Sequence, residues 1–577
     1  MPLVTCFANH YPGGNVLKPA TSRKPRFAAV LLVLVLVAAA CGGSSKKTPD
    51  AGNATPTQDT TKPVYGGSVT YAQEAEDAGG VCIPESQLDI NGINYAQTIY
   101  DTLTILNDDG KMVPFLAKSV EHNADATVWT VTLRDGIVFH DNTPLTATVV
   151  KNNIDAWRGA YPGRSPILLS LVFGPYIDTV TADDAAKTVV VKTKVPWSGF
   201  DAYLWNQGRL GIIAQKQLDS KDCAKDLIGT GPFSLKEWVV NDHFTAVKNP
   251  NYWRTDADGG KLPYLDSITF KPLNDAQQRL NGLQSGQFQL THTSDDLATE
   301  QLRELAKQGK VTQNESDRFG EVSHYMLNES KPPFNNIHAR KAVALAIDYV
   351  TLRKVRTHDI SQSANGAYAP GQIGFLADTG YPTFNLDEAK KEVAAYKSDT
   401  GQDLTFTLGG TTDPSGIETD NFVKTMLEAA GMSLSVYQVE QTQYINKAIA
   451  RDFEMYGWRN FSGGGGDYLY FWWHCNNAPP AACDNLVNFG GFNDATINSD
   501  FDKGRSELDA TKAKAFYEDI NRTFGSQVYN IWINYTLWSV ATSPKVHNIF
   551  GPPLPDGSKA NTSLANGHAM SGIFVTP

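Results

Sequence analysis

Trp129-Thr130-Val131-Thr132-Leu133-Arg134-Asp135-Gly136-Ile137-Val138-Phe139-His140-Asp141-Asn142-Thr143-Pro144-Leu145-Thr146-Ala147 is the stretch on which the reading of this chain turns. From Val128 to Leu133 small polar and apolar residues alternate, the period of a half-buried strand. Arg134-Asp135-Gly136 then turns the chain, and Val138-Phe139 reads as the return arm of a hairpin. Asn142 falls in a second turn, where Asn tolerates a left-handed backbone. Thr146 precedes a run with helical spacing to about Trp157 and suits its N-cap.

Outward from this unit the chain keeps changing register. Gly67 to Ala72 and Thr188 to Lys192 read as strands, and Tyr95 to Leu103 reads as a helix. Trp197 to Trp205 is aromatic-rich and helical in spacing. Phe244–Val247 and Ile268–Phe270 read as strands, and Ala276 to Gln284 as a short amphipathic helix. His338–Ile347 and Leu386–Tyr396 are helical, the latter capped by Asn385 with Asp387 and Glu388 in its first turn. Leu404–Leu408, Ile417–Ala430, Leu434–Val439, Tyr444–Ala450 and Phe453–Trp458 then run strand, helix, strand, helix, strand. That pacing is a parallel α/β unit.

The chain has 577 residues and a formal charge of −11. Its first 40 residues hold four of the 50 Lys and Arg and no acid, so the remainder carries 46 against 61, a formal −15. That balance, with no cluster of Lys and Arg, argues against a nucleic-acid partner. The length divides into two or three domains, and a hydrophobic fraction of 41% supports packed cores. Near the start, Lys18, Arg23, Lys24 and Arg26 precede an apolar run from Phe27, which ends in Val37-Ala38-Ala39-Ala40-Cys41. A basic region, an apolar core of about 14 residues and a small-residue exit describe a secretory signal. The run is short of the roughly 20 residues a span needs. Small residues directly before Cys41 resemble a bacterial lipobox, with Ala38 where Leu or Val is usual. The resemblance implies that Cys41 is lipidated and tethers the chain outside the cell membrane. Gly42 to about Lys62 is polar and rich in Ser, Thr and Pro, a flexible spacer.

Of six cysteines, Cys6 leaves with the signal and Cys41 takes the lipid. The even remainder in an exported chain points to two disulfides. Cys475 and Cys483 are close in sequence, with Ala478-Pro479-Pro480 turning the chain between them, and the expected pairs are those two and Cys82 with Cys223. The rival for His474, Cys475 and Cys483 is a metal site, whose spacing fits no common zinc pattern.

Three stretches carry a resemblance to the bacterial extracellular solute-binding proteins of family 5, the peptide- and nickel-type receptors of ABC importers. The first is Trp129 to Ala147. The second is Gly229-Thr230-Gly231-Pro232-Phe233 with Asn249-Pro250-Asn251-Tyr252-Trp253. The third is Arg340-Lys341-Ala342-Val343-Ala344-Leu345-Ala346-Ile347-Asp348. The order holds from about Tyr65 to the C-terminus. Most signature residues read as structural: Arg134 and Asp135 tying a turn, Gly229 and Gly231 supplying backbone angles other residues resist, Arg340 and Asp348 pinning a helix. The resemblance implies an α/β, two-lobed periplasmic-binding-protein type II fold with an extra subdomain in lobe I. It divides the chain into a signal peptide (1–40), a linker (41–64), lobe I (65–103, 196–272 and a returning 528–577), the extra subdomain (104–195) and lobe II (273–527).

Ligand contacts in the family cluster after the strand ending in Gly457-Trp458. Trp458, Asn460, Phe461, Asp467 and Tyr468 are the candidate ligand-binding residues, with the Gly463–Gly466 run letting backbone approach a ligand or swing as lobes close. Trp458 suits a flat apolar wall carrying an N–H, or a core aromatic. Asp467 suits a ligand anchor or a helix N-cap. Peptide receptors of the family place an Asp shortly after Gly-Trp for the α-ammonium; here Asn460 and Phe461 hold that place. The resemblance implies a small-molecule or peptide ligand, ABC permease and ATPase partners, a monomer on the extracytoplasmic face of the membrane, no catalytic or metal residues and no cofactor. A surface receptor without a transporter is the alternative. A secreted hydrolase is disfavoured, since neither G-x-S-x-G nor H-E-x-x-H occurs.

Overall fold

The computed structural model describes residues 61–577 apart from Ala78 and 461–464. The signal, Cys41, most of the spacer and Phe461 lie outside the described residues. Two large sheets organise the rest. The first has seven strands, with Ser68–Gln73 at its centre flanked in parallel by Ser267–Pro272 and Leu290–Thr293. The second has five, in which Thr405–Thr411 runs parallel to Ser433–Val439 and Met455–Asn460, followed by antiparallel Val322–Leu327 and then Asn530–Tyr535. The parallel α/β unit read from the second half is present here as that sheet. Each sheet is the middle of one lobe.

The quoted stretch builds a smaller sheet on the first lobe. Val128–Leu133 buries Trp129, Val131 and Leu133 and exposes their neighbours more, as its alternation requires. Its partners differ from the expected hairpin. It pairs with Ala117–His122 before it and Thr188–Thr193 far after it, and Ile177–Asp183 completes four strands. Val138 makes only an isolated bridge to Pro144, because Arg134 to Asn142 is consumed by turns. Thr146 caps Ala147–Trp157, accepting from the Val149 amide at 3.2 Å, and Asn142 is left-handed at φ 66°.

The signature residues brace the fold, and His140 ties this subdomain to the lobe. Gly229 N–H donates to His140 Nδ1 at 3.2 Å, which leaves the proton on Nε2 to donate to Gly231 O at 3.0 Å. Asn249 Nδ2 also donates to Gly231 O. Thr230, Tyr252 and Trp253 all donate to the buried carboxylate of Asp101. Arg134 reaches Phe115 O, Arg340 the carbonyls of Phe334 and Gln527, and Asp348 caps the helix Tyr349–Arg356. Gly229 and Gly231 serve a reason other than unusual angles. A Cβ there would stand 2.1 and 2.5 Å from the Ile99 carbonyl group, so close approach excludes a side chain.

Two lobe boundaries move. Leu290–Thr293 and Thr312–Ser316 belong to the first sheet, so the chain leaves the first lobe at 317–321 rather than at 273. Asn530–Tyr535 belongs to the second sheet, so the return is at 536–537 rather than 528. Short strands carry no mark of the sheet they join, and the pairings that decide it span hundreds of residues. The structure also bonds Cys82 to Cys223 and Cys475 to Cys483. The second bond removes both sulfurs from any metal, and His474 instead stacks on Tyr470 and pairs with Asp502 at 3.2 Å. No helix among the described residues is long and apolar enough to cross a membrane.

Candidate functional site

The registers converge on the crossings. In the second lobe Val322 faces Asn460 and Tyr535. In the first, Thr293 faces Ser539 and Ser316 faces Trp538. The carboxyl ends of Met455–Asn460 and Asn530–Tyr535 therefore point toward the same hinge as those of Ser68–Gln73 and Leu290–Thr293. The ends of parallel strands are where α/β sheets leave a crevice for ligands.

Met455–Asn460 presents two faces there. On one, Trp458 lies parallel to Tyr444 at 5.7 Å and edge-on to Phe489 at 5.2 Å. Asn460 follows on the same face and is 6% exposed. Trp458 Nε1 and Asn460 Nδ2 are buried and find no hydrogen-bond partner among the described residues. A buried donor without an acceptor costs about 1–3 kcal/mol, so two side by side call for a group that brings acceptors. On the other face Arg459 lies over the Trp538 ring at 5.3 Å and 3.9 Å from the Glu321 carboxylate, which also accepts from Trp538 Nε1. Burial lifts the Glu321 carboxyl above its ordinary range, with Arg459 opposing. Across the hinge Glu74 accepts from the Ser294 amide at 2.8 Å and meets Arg279 at 3.4 Å. Burial works against its charge, but Arg279 and Arg459, with the Ser294 amide, outweigh that and hold it below the usual range. His292 is kept neutral by burial, pushed down to about 3. The hinge thus carries charges of both signs, mostly paired.

The sequence candidates separate. Trp458 and Asn460 stand together at the strand end. Tyr468, held by its hydroxyl to Gln372 at 2.8 Å, lines with Phe471 a crevice of about 10 Å³ against Tyr203 and Gln207 of the first lobe, room for about one water. Asp467 is spoken for. Arg505 donates to both its oxygens at 2.9 and 3.3 Å, and Trp197 Nε1 donates to Oδ2 at 2.9 Å. It does not cap a helix; the turn Gly466–Leu469 starts from Gly465 with no side-chain bond. Phe461 lies outside the described residues. Arg459, Glu321, Glu74 and Arg505 escaped the sequence reading. Of these only Arg459 had a signal, its place next to Trp458; the others are brought together by the fold.

With this geometry in view, comparison with known proteins is informative. The nickel-binding periplasmic protein of Escherichia coli (strain K12) is 23% identical over 477 residues, 80% of this chain and 88% of that protein. The glutathione-binding protein GsiB of Salmonella typhi is 30% identical over 278 residues, where the match spans 48% of this chain and about half, 51%, of the relative. Among solved structures, DppA from Helicobacter pylori in complex with peptide STSA superposes with a TM-score of 0.77 at 20% identity, over 89% of this chain and 99% of that one. The oligopeptide-binding protein AppA from Bacillus subtilis, in complex with a nonapeptide, gives 0.74 at 17%, over 89% and 100%. These likenesses fix the two-lobed type II fold. Residues 111–480 match the model described as "Bacterial extracellular solute-binding proteins, family 5 Middle"; the chain belongs to that family and is a binding protein of a transporter, not an enzyme.

Proposed function

We propose that this chain is the tethered receptor of an ABC importer, capturing a peptide or peptide-like small solute between its lobes and delivering it to a permease. The observation that carries the site is the pair of buried, unpartnered donors, Trp458 Nε1 and Asn460 Nδ2, where the second lobe meets the hinge. A solute carrying carbonyl or carboxylate oxygens satisfies both and stacks on the indole. Relatives named for nickel, for glutathione and for peptides support a family cleft that accepts such groups. Asp467 is buried with its charge already matched by Arg505, which leaves it poorly placed to pair an α-ammonium and favours solutes recognised by their acceptors. The lobes close by hinge bending at 317–321 and 536–537, driven by the solute's higher affinity for the closed form. Lipid on Cys41 holds the receptor at the extracytoplasmic face, since two or more acyl chains anchor stably where one is marginal.

Native mass spectrometry of protein purified without refolding identifies a co-purified molecule, and calorimetry against peptide, sugar and metallophore sets measures it. Trp458→Ala is expected to weaken binding roughly 10- to 100-fold, the range of a stacked aromatic anchor, with little change in Tm because the indole is only half-buried. Unchanged affinity would remove Trp458 from the site. No heat from any set, with one rigid shape in scattering throughout, would overturn the receptor reading.

A further inference from the structure

We propose that Arg505 is a positioning residue that fastens the loop after the site strand to the first lobe, so that closure over a solute is clamped outside the cleft. The proposal rests on the receptor reading for its purpose, but not for its geometry. Arg505 sits on the second-lobe helix Ala495–Ser506 and its side chain is 2% exposed. Its partners come from both lobes. From its own lobe, Asp467 takes Nε and NH2, and Tyr470 lies beneath the guanidinium, 3.3 Å from its carbon. From the first lobe, the Trp197 ring lies at 4.4 Å and the Tyr176 ring at 4.8 Å, and the Tyr203 hydroxyl accepts from NH2 at 3.3 Å.

The backbone joins the same clamp. Ser198 donates both its amide, at 2.9 Å, and its hydroxyl, at 2.8 Å, to the Arg505 carbonyl. Trp197 donates to the Asp467 carboxylate, and Tyr203 donates to the Asp467 carbonyl at 2.8 Å. Residues 197–203 and 467–505 are covalently joined only through the hinge, so each of these bonds must break when the lobes part. In an open molecule Arg505 and Asp467 return to water. Closing exchanges that hydration for a caged pair, an exchange that nearly balances but is exacting in geometry. Such a contact holds one closed arrangement without making it irreversible. Because Asp467 lies seven residues beyond Asn460, the end of the site strand, and directly before Tyr468, the clamp also sets where Tyr468 and Phe471 stand against the first lobe.

Hydrogen exchange on the solute-free protein tests this directly. Arg505→Gln removes the ion pair, and Tyr203→Phe removes only the hydroxyl shared by the two lobes, keeping the ring. Both are expected to speed exchange across residues 197–203 about tenfold, the loss of roughly one hydrogen bond's worth of protection. The strand Val128–Leu133 should keep wild-type rates, and scattering should shift toward a wider two-lobed shape. Unchanged exchange at 197–203, with faster exchange confined to the second lobe, would reduce Arg505 to a residue of that lobe's own packing and overturn the clamp. If Arg505→Gln does not fold, Tyr203→Phe decides. In stopped-flow kinetics with the peptide set that binds wild type, Tyr203→Phe should raise the off-rate more than it lowers the on-rate; rates equal to wild type overturn the link to solute. Failure of every set to bind wild type refutes the receptor reading while leaving the exchange result standing.

Discussion

Replacing Cys82 and Cys223 together with serine is expected to destabilise the folded protein by about 5 kcal/mol, on the chain-entropy account in which the cost grows with the loop closed. The bond joins residues 141 apart, and the loop it closes contains the whole inserted subdomain, from Ala117–His122 through Thr188–Thr193. Both cysteines are buried in the first-lobe core. Arg164 of the subdomain donates to Cys82 Sγ at 3.3 Å and to Ser220 O at 2.8 Å, so the bond lies where subdomain and lobe meet. Without it the unfolded chain gains the freedom of that long loop, and the subdomain is held to the lobe by its remaining contacts, among them His140 with Gly229 and Gly231 and Asn153 with Ile213. The corresponding change at Cys475 and Cys483 closes a separation of only 8 residues, and the same account gives about 2.5 kcal/mol. Denaturant melts of the two double variants measure the difference. A loss at Cys82 and Cys223 no larger than that at the short bridge would show that the long loop is already restrained in the unfolded state.

What the sequence discloses follows how local each cause is. The cap at Thr146, the alternation in Val128–Leu133 and the parallel unit of the second half rest on neighbours within a few residues, and each was legible. The signature residues were legible as structural, but the reason for Gly229 and Gly231 was not, because the obstacle is the carbonyl of Ile99, 130 residues away for Gly229. Sheet membership was lost at Leu290–Thr293, Thr312–Ser316 and Asn530–Tyr535 for the same reason: the alternating pattern says strand and is silent about which sheet. Trp458 and Asn460 become site candidates only through the family resemblance, which places ligand contacts around the strand carrying Gly457-Trp458. The occupation of Asp467 was not legible, since Trp197 and Arg505 approach it from 270 and 38 residues away.

Asp420→Asn is expected to make the protein more stable than wild type at pH 8, by up to about 4 kcal/mol, and to change little at pH 4. Asp420 lies on the helix Pro414–Ala429, 6% exposed, with its Oδ2 against the backbone of Gly410 and its Oδ1 accepting from Tyr325 at 2.8 Å. Burial pushes its carboxyl up to about 7, with the Tyr325 hydroxyl opposing and nearby Asp413 adding to the rise. A carboxyl raised on folding is at its most favourable below its unfolded pKa of about 3.9. That advantage drains away as pH climbs and is gone above about 7, because the folded protein must then carry a buried charge that the unfolded chain carries in water. Three pKa units at 1.36 kcal/mol each set the ceiling of about 4 kcal/mol. Asparagine keeps the acceptor for Tyr325 and never ionises, so its Tm should be flatter between pH 4 and 7. Asp296, at the contact with Ser361 and also raised by burial to about 7, contributes a slope of the same sign. The single variant should therefore keep part of the pH dependence, and adding Asp296→Asn should remove more. Asp420 stands beside Tyr444, which stacks on Trp458, so its charge forms next to the site strand. A wild-type Tm that rises from pH 5 to pH 8, or an Asp420→Asn curve parallel to wild type, would show that the buried carboxyl is already ionised and paired.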